Sequence, residues 1–415
     1  MVRAGISDIV CVVLALCCIS VPALASTANM TVSSADRQAS PSPVIRLFIP
    51  ASGFIHSDQI NDAINGKSGD VLFATAFGLS DYNGSWSTRH VNRVNLSEGL
   101  LDDFITAIEY DPAGNLWIGY SGGIQIFNGA TYQTIRDQQL LKDTRIKAFQ
   151  RWGETMWVAT GSTAIHRVSN GSWTWFQPFS KGGPGFYDID SMALDPRNDS
   201  LIIATENNGI WMIPSQADPV TFLRIDVDTN VLPLRNHVRQ DPMGGVYFFN
   251  ESAVTRYTPA RDWVPVLTVS DLTQKQVEIN DIAAGTDGTL YIGTDDGIFF
   301  WRDGVVAGYL GRFEGIGTST IVRWLFMDAK GRLWFATQGS VGYYEQETAA
   351  PVVTIMILNQ TTTAQVTATP TTTPPPVTSI ATPVPTEEIK PEKKASSLFE
   401  ILTNFISDLI SRFRK

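Results

Sequence analysis

Seven times along the chain an apolar doublet is followed by a small residue, Thr or a polar stand-in, a short polar gap, and then usually Gly and another apolar residue. The copies include Val71-Leu72-Phe73-Ala74-Thr75-Ala76-Phe77-Gly78-Leu79, Leu116-Trp117-Ile118-Gly119, Met156-Trp157-Val158-Ala159-Thr160 and Leu201-Ile202-Ile203-Ala204-Thr205. Val246-Tyr247-Phe248-Phe249-Asn250, Leu290-Tyr291-Ile292-Gly293-Thr294 and Leu333-Trp334-Phe335-Ala336-Thr337 complete the set. Their second positions are separated by 45, 40, 45, 45, 44 and 43 residues. Apolar residues at successive positions suit a strand covered on both faces, and a period in this range with several short strands per copy is the signature of a β-propeller blade.

Turn chemistry divides each copy into strands. Thr286-Asp287-Gly288 separates Ile279–Ala284 from the central phrase, and Asp111-Pro-Ala-Gly114 and Asp328-Ala-Lys-Gly331 stand at the same place in other copies. Gly supplies the positive φ that tight hairpins demand. A second Gly-rich turn, at Asn83-Gly84, Asn128-Gly129, Asn170-Gly171 and Asp303-Gly304, leads into an outer strand. The expected fold is all-β: a seven-bladed propeller of four-stranded antiparallel blades. The aromatic residues of the central phrase are read as core packing between blades.

The last copy lacks an outer strand directly after Val341-Gly-Tyr-Tyr344. Pro43-Val-Ile-Arg-Leu-Phe-Ile49 precedes the first copy and is predicted to fill that place, closing the ring and removing an open sheet edge. Pro351-Val-Val-Thr-Ile-Met-Ile-Leu358 is a rival for the position.

The phrase resembles the repeats of the two-component regulator propeller family, best in Gly288-Thr-Leu-Tyr-Ile-Gly-Thr-Asp-Asp-Gly297 and Gly114-Asn-Leu-Trp-Ile-Gly119. The resemblance covers about seven-tenths of the chain and implies fold more than ligand. In that family such propellers commonly form exported sensor regions of membrane-spanning histidine kinases. No kinase sequence follows within these 415 residues, so the signalling role is not carried over with the repeat.

Outside the repeats the chain divides further. Arg3, the apolar run Ile9 to Val21 and Ala23-Leu24-Ala25 fit a secretory signal peptide over residues 1–25, with an uncleaved anchor as the alternative. Leu14-Ala15-Leu16-Cys17 resembles a lipoprotein box with Leu16 where a small residue is expected. Residues 26–42 are expected to be flexible, 43–358 to form the propeller, and 359–395, rich in Thr and Pro, to form an extended linker. Residues 396–415 carry Leu398, Leu402, Phe405 and Leu409 at helical spacing, giving an amphipathic helix suited to a membrane surface or a partner groove. The expected location is extracellular, cell-surface or periplasmic.

All three cysteines, Cys11, Cys17 and Cys18, fall in the signal segment, so a processed chain has no disulfide, thiol nucleophile or cysteine metal ligand. The formal charge of −10 argues against nucleic acid and is compatible with protein or carbohydrate partners. Seven Asn-x-Ser/Thr sequons coincide largely with turn positions. No phosphate loop, nucleophile elbow or dinucleotide fingerprint is present, and no cofactor is expected.

Ligands of propellers usually meet the face formed by loops that lead into the innermost strands and by turns between second and third strands. The candidates there are Asp58, Asp102, Asp103, Tyr187, Asp188, Arg235, His237 and Asn280 from the first set, and Glu206, Asp295 and Asp296 from the second. The histidines His56, His90, His166 and His237 fall in different copies without metal-ligand spacing, and Asp295-Asp296-Gly297 reads as a turn in place of a calcium loop. No catalytic set or metal site is assigned. The sequence points to an exported binding module acting as sensor or scaffold. The alternative is a magnesium-dependent propeller lyase, for which His56 and His237 are the only plausible pieces.

Overall fold

The computed structural model describes residues 44–51, 53–92, 98–162, 165–225 and 237–346. The expected signal segment, the rival strand 351–358, the Thr/Pro linker, the terminal helix and Arg235 lie outside the described residues. Seven antiparallel sheets of four strands each form the ring. Six of their central strands, among them Val71–Thr75, Leu116–Tyr120, Leu290–Thr294 and Leu333–Thr337, are buried at every residue, and the seventh, Val246–Phe249, at all but Tyr247. That is why the phrase is apolar without alternation: both faces of each such strand meet neighbouring blades.

The small residue of the phrase has a packing reason. A Cβ on Gly119 would stand 2.7 Å from Ile146, and one on Gly293 would stand 2.8 Å from Val322, both residues opening the innermost strand of the next blade. At these two places even an alanine methyl would push the blades apart, whereas Ala74, Ala159, Ala204 and Ala336 fill the same position in other copies.

The ring closes as predicted. Val44–Phe48 pairs antiparallel with Ser340–Glu345, joining the chain's first described strand to its last. Phe48 then meets Trp86, Tyr82 and Trp334 at ring-centroid distances of 5.2, 5.4 and 6.5 Å. The closure therefore combines ladder hydrogen bonds with an aromatic cluster that bridges blades one and seven.

Asp328 anchors the turn between the first two strands of blade seven. Its carboxylate accepts from the backbone N–H groups of Lys330 and Arg332, from Arg332 Nε at 2.7 Å and from Trp334 Nε1 at 2.8 Å. Asp111 does the same in blade two, accepting from Asn115 N and from Trp117 Nε1 at 3.1 Å. In these two blades the Asp, Gly and Trp of the repeat are thus one device: the Asp closes the turn and fixes the indole at the start of the strand that follows.

The only helices among the described residues are two single turns, Gln138–Leu141 and Val269–Leu272, each in a loop between blades. None of the described helices is long and apolar enough to cross a membrane.

Candidate functional site

Each innermost strand starts at one face of the ring, here called the upper face, where second strands also end and third strands begin. In five blades the pairing register slips just inside that start, between Ile60 and Asp62, Ile146 and Ala148, Ile189 and Ser191, Ile279 and Asp281, and Val322 and Trp324. A bulge leaves one residue without a ladder partner and re-aims it. Those residues are Asn61, Lys147, Asp190, Asn280 and Arg323, all polar or charged, each following a buried Ile or Val. Of these only Asn280 was singled out from sequence; the signal for the others was a lone polar residue behind a β-branched one at the start of a strand.

Innermost strands have a free backbone edge, and the structure satisfies part of it from the preceding blade. Asp62 Oδ2 accepts from Ile108 N, Ser191 Oγ from Val238 N and Asp281 Oδ2 from Leu325 N, each at 2.9 Å. Asp281 also pairs with Arg239 at 2.9 Å. Burial pushes the Asp62 carboxyl up to about 7, with the charge of Glu109 adding to the rise and the Ile108 N–H opposing it. Burial likewise raises Glu109. Asp62 and Glu109, on the innermost strands of blades one and two, are therefore reluctant to ionise.

The sequence candidates separate into two kinds. Asp102 accepts from Phe104 N, Asp295 from Glu278 N and Asp58 from Gly339 N, so these three shape loops. Asp296 holds Lys275 at 2.5 Å. Asp188 and Glu206 do come together: Glu206 N donates to Asp188 O, and Asn207 donates to Asp188 Oδ2 at 2.8 Å. Glu206 also faces Lys147 at 3.4 Å. Asn280 is exposed at its bulge, and Tyr187 stands beside Phe179 with ring centroids 6.0 Å apart.

The two histidines of interest lie with different carboxylates. His237 Nδ1 bonds Asp190 Oδ2 at 2.6 Å. Burial alone would raise Asp190, yet its hydrogen bond and charge contact with His237, helped by Ser191, leave it below its ordinary value. His56 Nδ1 meets His90 Nε2 at 2.8 Å, and His90 Nδ1 meets Asp103 Oδ1 at 3.2 Å. No three His, Cys, Asp or Glu side chains stand together as a ligand set among the described residues.

Exposed apolar side chains mark the upper face. Six aromatic rings are 41 to 98% exposed: Phe54, Phe77, Phe104, Phe179, Tyr187 and Phe313. All six lie in upper-face loops or turns, whereas the lower-face turns contribute only Met243 to the exposed large apolar residues. Phe179 is also held at φ 54°, a left-handed conformation costly for an aromatic residue. Its N–H donates to Pro184 O, and Gly183 N donates to Ser180 O, bonds that brace the loop around it.

Comparison with known proteins agrees with this architecture. Residues 99–122 and 315–339, in blades two and seven, match the family model described as two component regulator propeller, so the chain carries that repeat. No curated protein matches the sequence. Among solved structures, the extracellular domain of a hybrid two component system from B. thetaiotaomicron is similar at 17% identity and a TM-score of 0.57. That match covers 73% of this chain and 40% of the other, so this chain spans well under half of that relative's length. Virginiamycin B lyase from Staphylococcus aureus is similar at 13% identity and a TM-score of 0.53, over 73% of this chain and 99% of the other. PorZ, a surface component of the type-IX secretion system of Porphyromonas gingivalis, is similar at 15% identity and a TM-score of 0.55, over 71% and 48%. At these identities the likeness is one of fold.

Proposed function

We propose that this propeller is an exported, non-catalytic binding module, a sensor or scaffold, that meets a protein or carbohydrate ligand with its upper face. One observation carries the reading: every exposed aromatic ring among the described residues lies on that face. Apolar rings left in water around a polar centre are costly unless something covers them, and interfaces are enriched in such residues. The fold shared with the extracellular domain of a two component system fits the same reading, as does the signal-like N-terminus.

The lyase alternative is less well supported, because His237 bonds the Asp190 carboxylate whereas His56 bonds His90, which in turn meets Asp103, so the two histidines share no cluster among the described residues. Residues 396–415 are proposed as a second contact, to a membrane surface or a partner.

The test is a thermal-shift screen of the full chain against oligosaccharides, peptides and divalent ions, with and without chelator. Anything that prefers the native state raises the midpoint by mass action. A shift lost in Phe179→Ser/Phe313→Ser but kept in Met243→Ser supports the upper face as the site. A shift indifferent to the upper-face changes overturns it, and a metal-dependent shift abolished by His237→Ala would favour the lyase.

A further inference from the structure

Where blades one and two adjoin on the upper face, four segments bring Asp103, His90, His56 and Phe77 together. The rings of His56 and His90 have centroids 4.9 Å apart and planes 19° apart, while the facing nitrogens are 2.8 Å apart. The bond therefore runs nearly along the line of ring centres, in the plane of both rings. Two nitrogens aimed head-on in this way share a proton; they do not converge on a point beside them, as the ligands of one metal ion would.

The carboxylate decides which nitrogen holds each proton. Asp103 Oδ1 accepts from Val91 N at 2.9 Å and can only accept from His90 Nδ1, so neutral His90 carries its proton there. His90 Nε2 is then the acceptor and His56 Nδ1 the donor. The lone pair of the neutral chain is left on His56 Nε2, which has no hydrogen-bond partner among the described residues. The seat of His90 is built for it: a Cβ on Gly78, at φ 101°, would lie 2.9 Å from the His90 ring. Phe77, 52% exposed, borders both imidazoles, at 4.8 Å from His90 and 6.5 Å from His56.

We propose that Asp103 and His90 position His56 as an oriented hydrogen-bond acceptor within the upper-face binding surface. Phe77 lies beside it, and the subsite takes a hydroxyl group carried on an apolar body, such as the side chain of a tyrosine. Asp103 and His90 are positioning residues; His56 and Phe77 touch the ligand. A chain of bonds from a fixed carboxylate polarises each imidazole in turn and strengthens the terminal acceptor. The apolar body covers Phe77. This deepens the reading of the upper face as the binding face and rests on it.

Nitrogen-detected NMR of the whole chain, with the imidazoles labelled, tests the relay directly. His90 is expected as the Nδ1–H tautomer, the minor one for free histidine, and finding Nε2–H overturns the proposal. Diethyl pyrocarbonate, which acylates unprotonated imidazole nitrogens, supplies a second readout by mass spectrometry. His90→Phe is expected to slow acylation of His56 at least threefold while leaving His237 unchanged; equal slowing of both, or of neither, overturns it. N-acetyl-L-tyrosinamide and 4-methylphenol should protect His56 at least threefold better than N-acetyl-L-phenylalaninamide. Stronger protection by the tyrosinamide than by the phenol identifies a polypeptide source, and equal protection by the hydroxylated and non-hydroxylated probes overturns the hydroxyl assignment. If these outcomes go against the subsite while Phe179→Ser/Phe313→Ser still abolishes ligand-induced stabilisation, the subsite fails and the upper-face reading stands.

Discussion

Replacing Asp328 by Ala should be among the most damaging single changes in the propeller. The carboxylate is buried with Arg332, itself 7% exposed, and with the fully buried Trp334. Arg332 lies over the rings of Tyr343, Trp334 and Tyr82, at 4.9, 5.3 and 5.8 Å, so its guanidinium cannot swing into water without opening the closure between blades one and seven. Removing one partner of a buried pair costs about 3–5 kcal/mol, because a charge is left uncompensated. The orphaned indole N–H adds about 1 kcal/mol or more, for a total of about 4–6 kcal/mol. The two backbone N–H groups at the turn can find water and add little. Urea titrations followed by tryptophan fluorescence measure the loss, with Asp287→Ala as the internal control. Asp287 holds the equivalent turn of blade six through Thr289 and a half-exposed Arg302 at 3.3 Å, so its loss should cost about 1 kcal/mol. Equal losses for the two variants, or a loss below about 1 kcal/mol for Asp328→Ala, would refute the argument that burial of the partners sets the magnitude.

Three further outcomes are expected. Asp62, raised to about 7, should make stability fall as pH rises from about 4 to 7, because the folded state holds a proton the unfolded state has released. His166, lowered by burial to about 4, acts oppositely, with stability lost as pH falls from about 6.5 to 4. The two slopes oppose each other in the native chain, so Asp62→Asn should unmask an acid-side loss and stabilise at pH 8 by about 2 kcal/mol, roughly half the ceiling set by the shift; an unchanged profile in chemical denaturation would count against both assignments. Deleting residues 1–48 should expose the edge of Ser340–Glu345 and yield association in size-exclusion chromatography with a lowered melting midpoint, whereas a stable monomer would show that the first strand does not close the ring. Phe179→Gly should stabilise the fold by about 1 kcal/mol through relief of the left-handed conformation while weakening any upper-face ligand, and a destabilised variant would show that the ring packs where it stands.

The repeats of Leu-Trp-Ile-Gly type, their spacing and the Asp-Gly turns determined the architecture, because each copy states locally what it needs: a doubly covered strand, a left-handed turn and a small residue where the next blade approaches. Even the closure by Val44–Phe48 was readable as the favoured of two candidates, with 351–358 as the rival, because an orphan strand at one end matches a missing one at the other. The site was readable only as a set of loops. Asp102, Asp295 and Asp58 were readable as carboxylates of these loops but their backbone donors, Phe104, Glu278 and Gly339 N–H, were not, because the donor to a carboxylate in a turn is set by how the loops meet. The bulged Asn61, Lys147, Asp190 and Arg323 carry only a weak mark in the sequence, a lone polar residue behind a β-branched one, because a register slip arises from pairing between strands. Tertiary structure alone decided that His56 and His90, 34 residues apart, share a hydrogen bond supported by Asp103, and that the exposed aromatic rings fall on one face. Local propensity sets strands and turns, whereas the meeting of loops from successive blades depends on how the whole ring closes.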